Sequence, residues 1–181
     1  MIRLRTIGGV GIALLVLGVA LTAPARVVLP LDQFLALLAP GATAEADTKY
    51  LSDAQKKAVE EAAGSALPGK VIHRRKVTAG DTFVGWVYFD RHRVRTLPET
   101  VAVAIGPDGK VLRTEVLAFS EPQNYKPRAA WLRLFDQKGA KALPRYKHDI
   151  DGMTGATLTG RAVTDAVRRA LVLHATLEQD T

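Results

Sequence analysis

The fold is decided by residues 100–119, which read TVAVAIGPDGKVLRTEVLAF. Two runs rich in valine and other apolar residues, 100–105 and 110–119, flank the sequence GPDG at 106–109, which is typical of a tight turn. Strands joined by so short a connection pair antiparallel, because a parallel pair needs a crossover of a dozen or more residues. The sequence therefore predicts a β-hairpin here.

Two further strands are predicted before this hairpin, at residues 70–77 and 82–89, where valine, isoleucine and aromatic residues are enriched. The predicted helices cover residues 27–42, 53–64, 129–137 and 159–177. Ser52 and Gln55 form a capping box before the second helix, and apolar residues recur at i, i+3 and i+4 in the last one. This order of elements predicts an α+β fold, with an antiparallel sheet flanked by helices.

The first 25 residues differ in composition from the rest of the chain. Two arginines precede an uncharged, largely apolar stretch at 6–25, which ends in the small residues Ala23-Pro24-Ala25. This pattern is typical of a secretory signal peptide, and ~20 apolar residues also suffice for a membrane anchor helix. The sequence thus predicts a signal peptide or membrane anchor at residues 1–25. Residues 26–181 are then a periplasmic or otherwise extracytoplasmic domain.

The composition excludes several classes of site. The chain has no cysteine, so disulfides, thiolate zinc sites, Fe–S clusters and covalently attached c-type haem are ruled out. The four histidines show no metal-ligand spacing, and no metal site is assigned. A net charge of +7 suits nucleic acid, phospholipid or an acidic partner, and the predicted export argues against nucleic acid. The basic runs at 73–76 and 91–95 indicate a solvated face; docking to phospholipid or to an acidic redox partner is the alternative.

The chemistry is concentrated at residues 149–159, which read DIDGMTGATLT and directly precede the last predicted helix. Free backbone N–H groups and the positive end of the helix dipole meet at such a junction, which makes it suited to a phosphate group. The alternative is purely structural, with Thr157 or Thr159 as an N-cap and the glycines as a turn.

The heptad Asp151-Gly152-Met153-Thr154-Gly155-Ala156-Thr157 resembles the flavinylation motif of the FMN-binding domain family. That motif is an Asp, two variable residues, Ser or Thr, Gly, Ala, and again Ser or Thr, and all five specified positions match. The family includes the C subunit of the sodium-pumping NADH:quinone reductase and the G subunit of the Rnf complex. The resemblance spans residues 100–173 and implies that Thr157 carries FMN through a phosphoester.

The resemblance also implies further cofactor-binding positions. Asp151 is expected to assist recognition or metal binding during flavin transfer, with a turn-forming role as the alternative. Tyr125, Trp131 and Met153 are candidates to cover the flavin ring, although core packing equally explains Trp131. Glu121-Pro122 resembles the family's Glu-x-Pro-Gly loop, without the glycine-rich turn that should follow. The expected set is completed by Thr154, Gly155, Ala156, Leu158 and Thr159; no catalytic residue is assigned.

These observations predict an exported flavoprotein whose covalent FMN relays electrons at the outer face of the cytoplasmic membrane. The expected partners are a Mg²⁺-dependent flavin transferase that uses FAD, and a membrane or periplasmic redox protein. The chain is expected to be a carrier rather than an enzyme. One alternative is a small extracytoplasmic reductase that acts directly on a diffusible acceptor, and another is a binding module that keeps the fold without flavin.

Overall fold

The computed structural model describes residues 26–179, so the predicted signal or anchor segment at 1–25 lies outside the described residues. The helices are α1 (Leu31–Ala36), α2 (Asp53–Ala63), α3 (Ala129–Leu132) and α4 (Thr157–Gln179), and the strands are β1 (Ala42–Tyr50), β2 (Val71–Ala79), β3 (Thr82–Arg93), β4 (Pro98–Ile105) and β5 (Val111–Phe119). The five strands form one antiparallel sheet in the order β1-β2-β3-β4-β5. The predicted α+β class with an antiparallel sheet is confirmed. Within residues 26–179 no helix is both long enough and apolar enough to cross a membrane.

Strand β1 was not predicted, since residues 43–50 had no assignment and residue 42 was expected to end a helix. Its sequence, ATAEADTKY, mixes small and charged residues and has little intrinsic strand preference. All nine of its residues pair with β2, from Ala42 opposite Ala79 to Tyr50 opposite Val71. Pairing with a neighbouring strand, rather than local preference, therefore creates this edge of the sheet.

The sheet carries helices on both faces. On one face, called here the α4 face, α4 and α2 cover Val101, Val103 and Ile105 of β4, together with residues of the neighbouring strands. On the other, the α1 face, Phe34 and Leu35 of α1 pack on a second apolar cluster that includes Val87 and Ala102. Two buried layers thus stabilise the sheet, each by removing apolar surface from water.

The helices predicted at 53–64 and 159–177 are correct in position and differ only at the ends. The capping box at Ser52 is present, and α2 ends at Gly64 in the left-handed conformation. The helix predicted at 27–42 is wrong over most of its length, because only Leu31–Ala36 is helical and the preceding residues run along β5. The helix predicted at 129–137 is split into α3 and a 3-10 turn at Arg133–Phe135. Helix α4 extends the prediction by two residues at each end.

Candidate functional site

The candidate site is the loop at residues 151–156 and the first turn of α4. Its main support is Tyr146, whose hydroxyl accepts a hydrogen bond from the amide of Met153 at 2.9 Å. The ring of Tyr146 lies under the helix at Gly160, where an added Cβ would come within 2.5 Å of Cε2. Tyr146 therefore holds the loop against the helix, and Gly160 is the residue that leaves room for it. The sequence analysis missed Tyr146; a glycine within an otherwise regular helix was the available signal.

Trp131 provides a second support from α3. Its indole Nε1 donates a hydrogen bond to the carbonyl oxygen of Asp151 at 2.8 Å. Its ring packs edge-on against the fully buried Phe135, with 5.3 Å between ring centroids. Trp131 therefore packs against the core, as one expectation had it, and this packing places it beside the motif loop. It remains half-buried, so covering the flavin ring stays a prediction.

The three candidate hydroxyl residues differ in exposure. Thr154 is exposed in the turn before the helix, Thr157 is half-buried at the first position of α4, and Thr159 is only 2% exposed. A group attached from outside the protein needs an accessible oxygen, which excludes Thr159 as the acceptor. Thr154 and Thr157 are both open to solvent.

The helix N-terminus offers unpaired donors beside Thr157. Ala156 takes the N-cap position, since its carbonyl accepts the amide of Gly160 at 3.0 Å. Its methyl group cannot accept a hydrogen bond, and the amides of Thr157, Leu158 and Thr159 have no hydrogen-bond partner among residues 26–179. The structural alternative, in which Thr157 or Thr159 caps the helix, is therefore wrong. Free amides at the positive end of a helix are the arrangement that binds phosphate.

Gly155 gives the loop its shape through its backbone. Its φ of +77° lies in the left-handed region, and an added Cβ there would meet no atom within 4 Å. A glycine in the motif permits close approach of the backbone to a ligand, and the structure adds a conformational reason for it, because most L residues are strained at this φ.

Exposed side chains surround the loop. Met153 is half-buried, and Leu158 is 45% exposed on the first turn of α4, so both leave apolar surface beside Thr157. Asp151 is exposed, and its side chain has no hydrogen-bond or ion-pair partner among the described residues. Arg161 is exposed one helical turn after Thr157. Apolar surface for a planar ring and a cation for a phosphate are therefore both close to the candidate hydroxyl.

Glu121 and Tyr125 belong to a different part of this region. Glu121 is buried, and its Oε1 accepts the amides of Arg95, Thr96 and Leu97, each at 3.3 Å. The ring of Tyr125 lies 5.1 Å from the guanidinium of Arg95. Both residues thus contact the turn between β3 and β4, and no contact joins them to the motif loop among the described residues. As ligands for the flavin they remain predictions.

A buried ionic cluster fixes α4 to the sheet. Arg169 of α4 binds both carboxylate oxygens of Asp90 at 2.7 and 2.9 Å. His92 bridges Asp90 at 2.8 Å and the fully buried Glu99 at 3.0 Å. Burial opposes the charge of His92, but the hydrogen bonds to Asp90 and Glu99 outweigh it and raise the pKa of His92 to about 9. Burial alone would raise the pKa of Asp90. The hydrogen bonds from His92 and Arg169 outweigh this effect and lower the pKa of Asp90 to about 2.

Comparison with known families agrees with this geometry. Residues 97–172 match the model of the FMN-binding domain. The chain carries an FMN-binding domain. It is accordingly a flavin-binding protein with FMN as its cofactor, and the matched range covers β4, β5, the Trp131 segment, the motif loop and most of α4. No curated protein and no solved structure matched the chain.

The residues present suit FMN. Its phosphate requires hydrogen-bond donors and its ring requires apolar surface, and the unpaired amides at Thr157–Thr159 and the exposed faces of Met153 and Leu158 supply both. A cleft of about 830 Å³, lined in part by Trp86 and His174, lies near the opposite end of α4. With a helical rise of 1.5 Å per residue, His174 is about 25 Å from Thr157. In this FMN-binding domain the motif and the cleft therefore lie near opposite ends of α4.

Proposed function

We propose that this protein is an extracytoplasmic electron carrier with FMN attached to Thr157 through a phosphoester. The single observation that carries the proposal is the position of Thr157: it is only half-buried, at the start of a helix whose first three amides lack partners among the described residues. Thr154 lies in the turn before the helix rather than in its first turn, and Thr159 is buried. The likeness to the C subunit of the sodium-pumping reductase and the G subunit of Rnf supports the same assignment.

The attachment reaction balances as a transfer from FAD. Thr157 Oγ1 forms a new P–O bond to the flavin-side phosphorus of FAD, the pyrophosphate bond breaks, AMP leaves and the hydroxyl proton is released. The exposed, unpaired carboxylate of Asp151 is accessible to a separate Mg²⁺-dependent transferase, consistent with a role in its recognition. Once attached, FMN supplies electron transfer in steps of one or two electrons.

Covalent attachment suits a location outside the cytoplasm. The occupancy of a reversible site follows the free concentration of its ligand relative to Kd. Free flavin is scarce where the sequence of residues 1–25 predicts this domain to reside, so a reversible site would lose its cofactor. A phosphoester to Thr157 removes that dependence.

A carrier is favoured over a reductase by the shape of the surface. Asp151, Thr154, Gly155 and Leu158 are all exposed, so the motif loop stands at the surface. The cleft that contains Trp86 lies at the other end of α4 and is too distant to hold a substrate against a flavin at Thr157. An exposed flavin edge suits docking to another redox protein. A reductase acting on a diffusible acceptor remains the alternative.

The proposal is tested on Thr157 with a matched pair of controls. With transferase co-expressed, Thr157→Ala should abolish covalent flavin and Thr157→Ser should retain part of it, as read from flavin fluorescence in denaturing gels. Thr154→Ala should only weaken transfer. Thr159→Ala, at a buried position, should retain attachment wherever the protein folds. A fluorescent band that persists in Thr157→Ala and disappears in Thr154→Ala would transfer the assignment to Thr154.

Folding is checked separately from attachment. Thr157→Ala removes no hydrogen bond found in the structure, so its free energy of unfolding should change by less than the ~1 kcal/mol typical of a lost cap. Loss of flavin from a protein that unfolds at the same urea concentration as wild type would then report on attachment alone.

A further inference from the structure

The two basic runs of the sequence are divided between the faces of the sheet. In β2, Arg75 lies opposite Val87, which belongs to the apolar cluster under α1. Alternate residues of a strand point to the same face, so His73 joins Arg75 on the α1 face while Arg74 points to the α4 face. Arg74 is only 4% exposed there, bound to Asp47 and Glu178. The expectation that the run at 73–76 is a solvated face is therefore wrong for Arg74, although His73 and Lys76 are exposed.

Strand β3 adds two cations to the same side. Arg91 and Arg93 follow Val87 and Phe89 at intervals of two residues, and both are exposed. Neither Arg75 nor Arg91 forms an ion pair among residues 26–179, and Arg93 contacts only the carbonyl oxygen of Thr96. We call His73, Arg75, Arg91 and Arg93 the basic patch.

The acidic groups of this face do not neutralise the basic patch. Glu115 of β5 is held by Arg113 at 2.7 Å, so this pair adds no net charge. Among the described strands and α1, the second carboxylate on the α1 face is that of Asp32, which is exposed. The strands of the α1 face therefore carry a net positive charge. On the α4 face Arg74, Arg169 and His92 are paired. Lys76 of β2 is exposed on that face, 5.9 Å from the centroid of the Phe83 ring.

The basic patch lies beside the place where the chain enters the fold. Arg91 pairs with Thr100, Thr100 with Ala118, and Ala118 with Val27, which places Val27 and Arg91 in one row across the sheet. At ~4.8 Å between strands, this row is about 14 Å long. The uncharged stretch at 6–25 ends directly before Arg26, so a membrane reached by that stretch adjoins the row. Exposed Val27 (65%) and Leu37 (47%) add apolar surface to the same layer.

We propose that the α1 face of the domain, through the basic patch, lies on an anionic phospholipid surface. The inference rests on the proposed location of the domain at the membrane and specifies its orientation. Helix α4 and Thr157 are in the opposite layer, so the flavin faces the aqueous side, where a protein redox partner can reach it. Each cation near an anionic membrane contributes roughly a fivefold change in the equilibrium between docked and free orientations.

The absence of cysteine allows a direct test on the full chain. Ala46→Cys on the α1 face, opposite Arg75, and Glu45→Cys on the α4 face are adjacent exposed positions of β1. Each variant is labelled with a fluorophore and reconstituted into vesicles of phosphatidylcholine with or without phosphatidylglycerol, containing a lipid with a spin-labelled headgroup as quencher. The label at 46 should be quenched more than the label at 45. The difference should require phosphatidylglycerol and should diminish from about 0.1 to about 1 M salt, since the Debye length falls from ~10 to ~3 Å.

Charge variants complete the test. Arg75→Gln and Arg91→Gln should each lower the docked-to-free ratio about fivefold, and Lys141→Gln, an exposed lysine on the helical side, should leave it unchanged. Equal quenching at positions 45 and 46, or no effect of phosphatidylglycerol, would overturn the proposal and leave the patch for an acidic protein. Flavin fluorescence in gels of the same samples distinguishes the two proposals. If covalent flavin is missing while the difference in quenching persists, the proposed carrier function is rejected and the membrane orientation is retained.

Discussion

His92 is the residue whose ionisation most directly affects the stability of the domain. Its imidazole donates to Asp90 and Glu99 in a buried place, and its pKa of about 9 keeps it charged at neutral pH. Glu99 Oε1 has no hydrogen-bond partner within the part of the chain that the structure describes, and burial raises the pKa of this carboxyl. Asp90, held by both His92 and Arg169, is therefore the main counter-charge of the histidine. Removing one proton from His92 would remove its charge and the donor of one of its two hydrogen bonds, to Asp90 or to Glu99, which is costly in a buried site.

This leads to a prediction about pH. The pKa of His92 is raised above its ordinary value of 6.5, so its contribution is fully present below pH 6.5 and is lost as the pH rises through about 9. We expect the difference in unfolding free energy between wild type and His92→Gln to shrink by up to about 3 kcal/mol over that interval. Urea unfolding at a series of pH values measures it, with His148→Gln, an exposed histidine, as control. Parallel pH profiles for wild type and His92→Gln would contradict the prediction.

At the scale of elements, the motif loop depends on two glycines for different reasons. Gly155 satisfies a backbone requirement, with φ of +77° and open space around it. Gly160 satisfies a packing requirement, because the ring of Tyr146 fills the place of its side chain. Outside the glycines, Trp131 and Tyr146 hold the motif loop through hydrogen bonds at Asp151 and Met153.

The role of Gly155 is tested by a pair of substitutions. Gly155→Val should impair flavin attachment more than folding, because a branched side chain is strained at positive φ and crowds the approach of a phosphate. Gly155→Asn should retain more attachment if conformation dominates, since Asn tolerates the left-handed region. Equal loss in both variants would identify close approach as the requirement, and full attachment in Gly155→Val would refute both reasons.

The support from Tyr146 is tested separately. Gly160→Ala should lower the free energy of unfolding by about 1–3 kcal/mol, as over-packing commonly does. Tyr146→Phe should cost about 1 kcal/mol by leaving the amide of Met153 unpaired. Thermal unfolding and in-gel flavin fluorescence measure the two effects. If Gly160→Ala is as stable and as flavinylated as wild type, Tyr146 does not hold the loop.

At the scale of the whole molecule, the sheet separates two surfaces with different chemistry. On the α4 face the buried charges of Arg74 and Arg169 are paired and Thr157 lies at one end, whereas the α1 face has arginines without an ion pair among the described residues and the entry of the chain at Arg26. Such a division suits a protein that contacts a membrane through one layer and a redox partner through the other.

The whole-molecule prediction concerns export and is read from the intact mass of the protein made in its native host. Cleavage after Ala25 gives an N-terminus at Arg26, and a retained anchor gives one at Met1 or Ile2 in the membrane fraction. In either case the measured mass should exceed that of the polypeptide by the mass of one FMN minus one water molecule. Recovery mainly from the cytosol would contradict both forms of export, and an unmodified mass would contradict covalent flavin.

The sequence by itself determined the features that have local signals. The hairpin at 100–119 follows from its turn residues, α2 from its capping box, and α4 from its apolar period. The motif at 151–157 was sufficient to identify the family from the sequence, because a phosphate site at the start of a helix is formed by few consecutive residues. Local signals do not include burial, so the choice of Thr157 over Thr154 and Thr159 depended on the motif resemblance, and the sequence of β1 has no strand preference that would have revealed it.

Only the tertiary structure decided those points, since each depends on residues far apart in the chain. Pairing with β2 creates β1, and contact with the core buries Thr159 while Thr157 stays accessible. The alternation of side chains along β2 buries Arg74 and leaves Arg75 half-buried on the other face, although the two are neighbours in one basic run. Burial is a property of the packed molecule, and it determines which hydroxyl can accept a cofactor and which cations can meet a membrane.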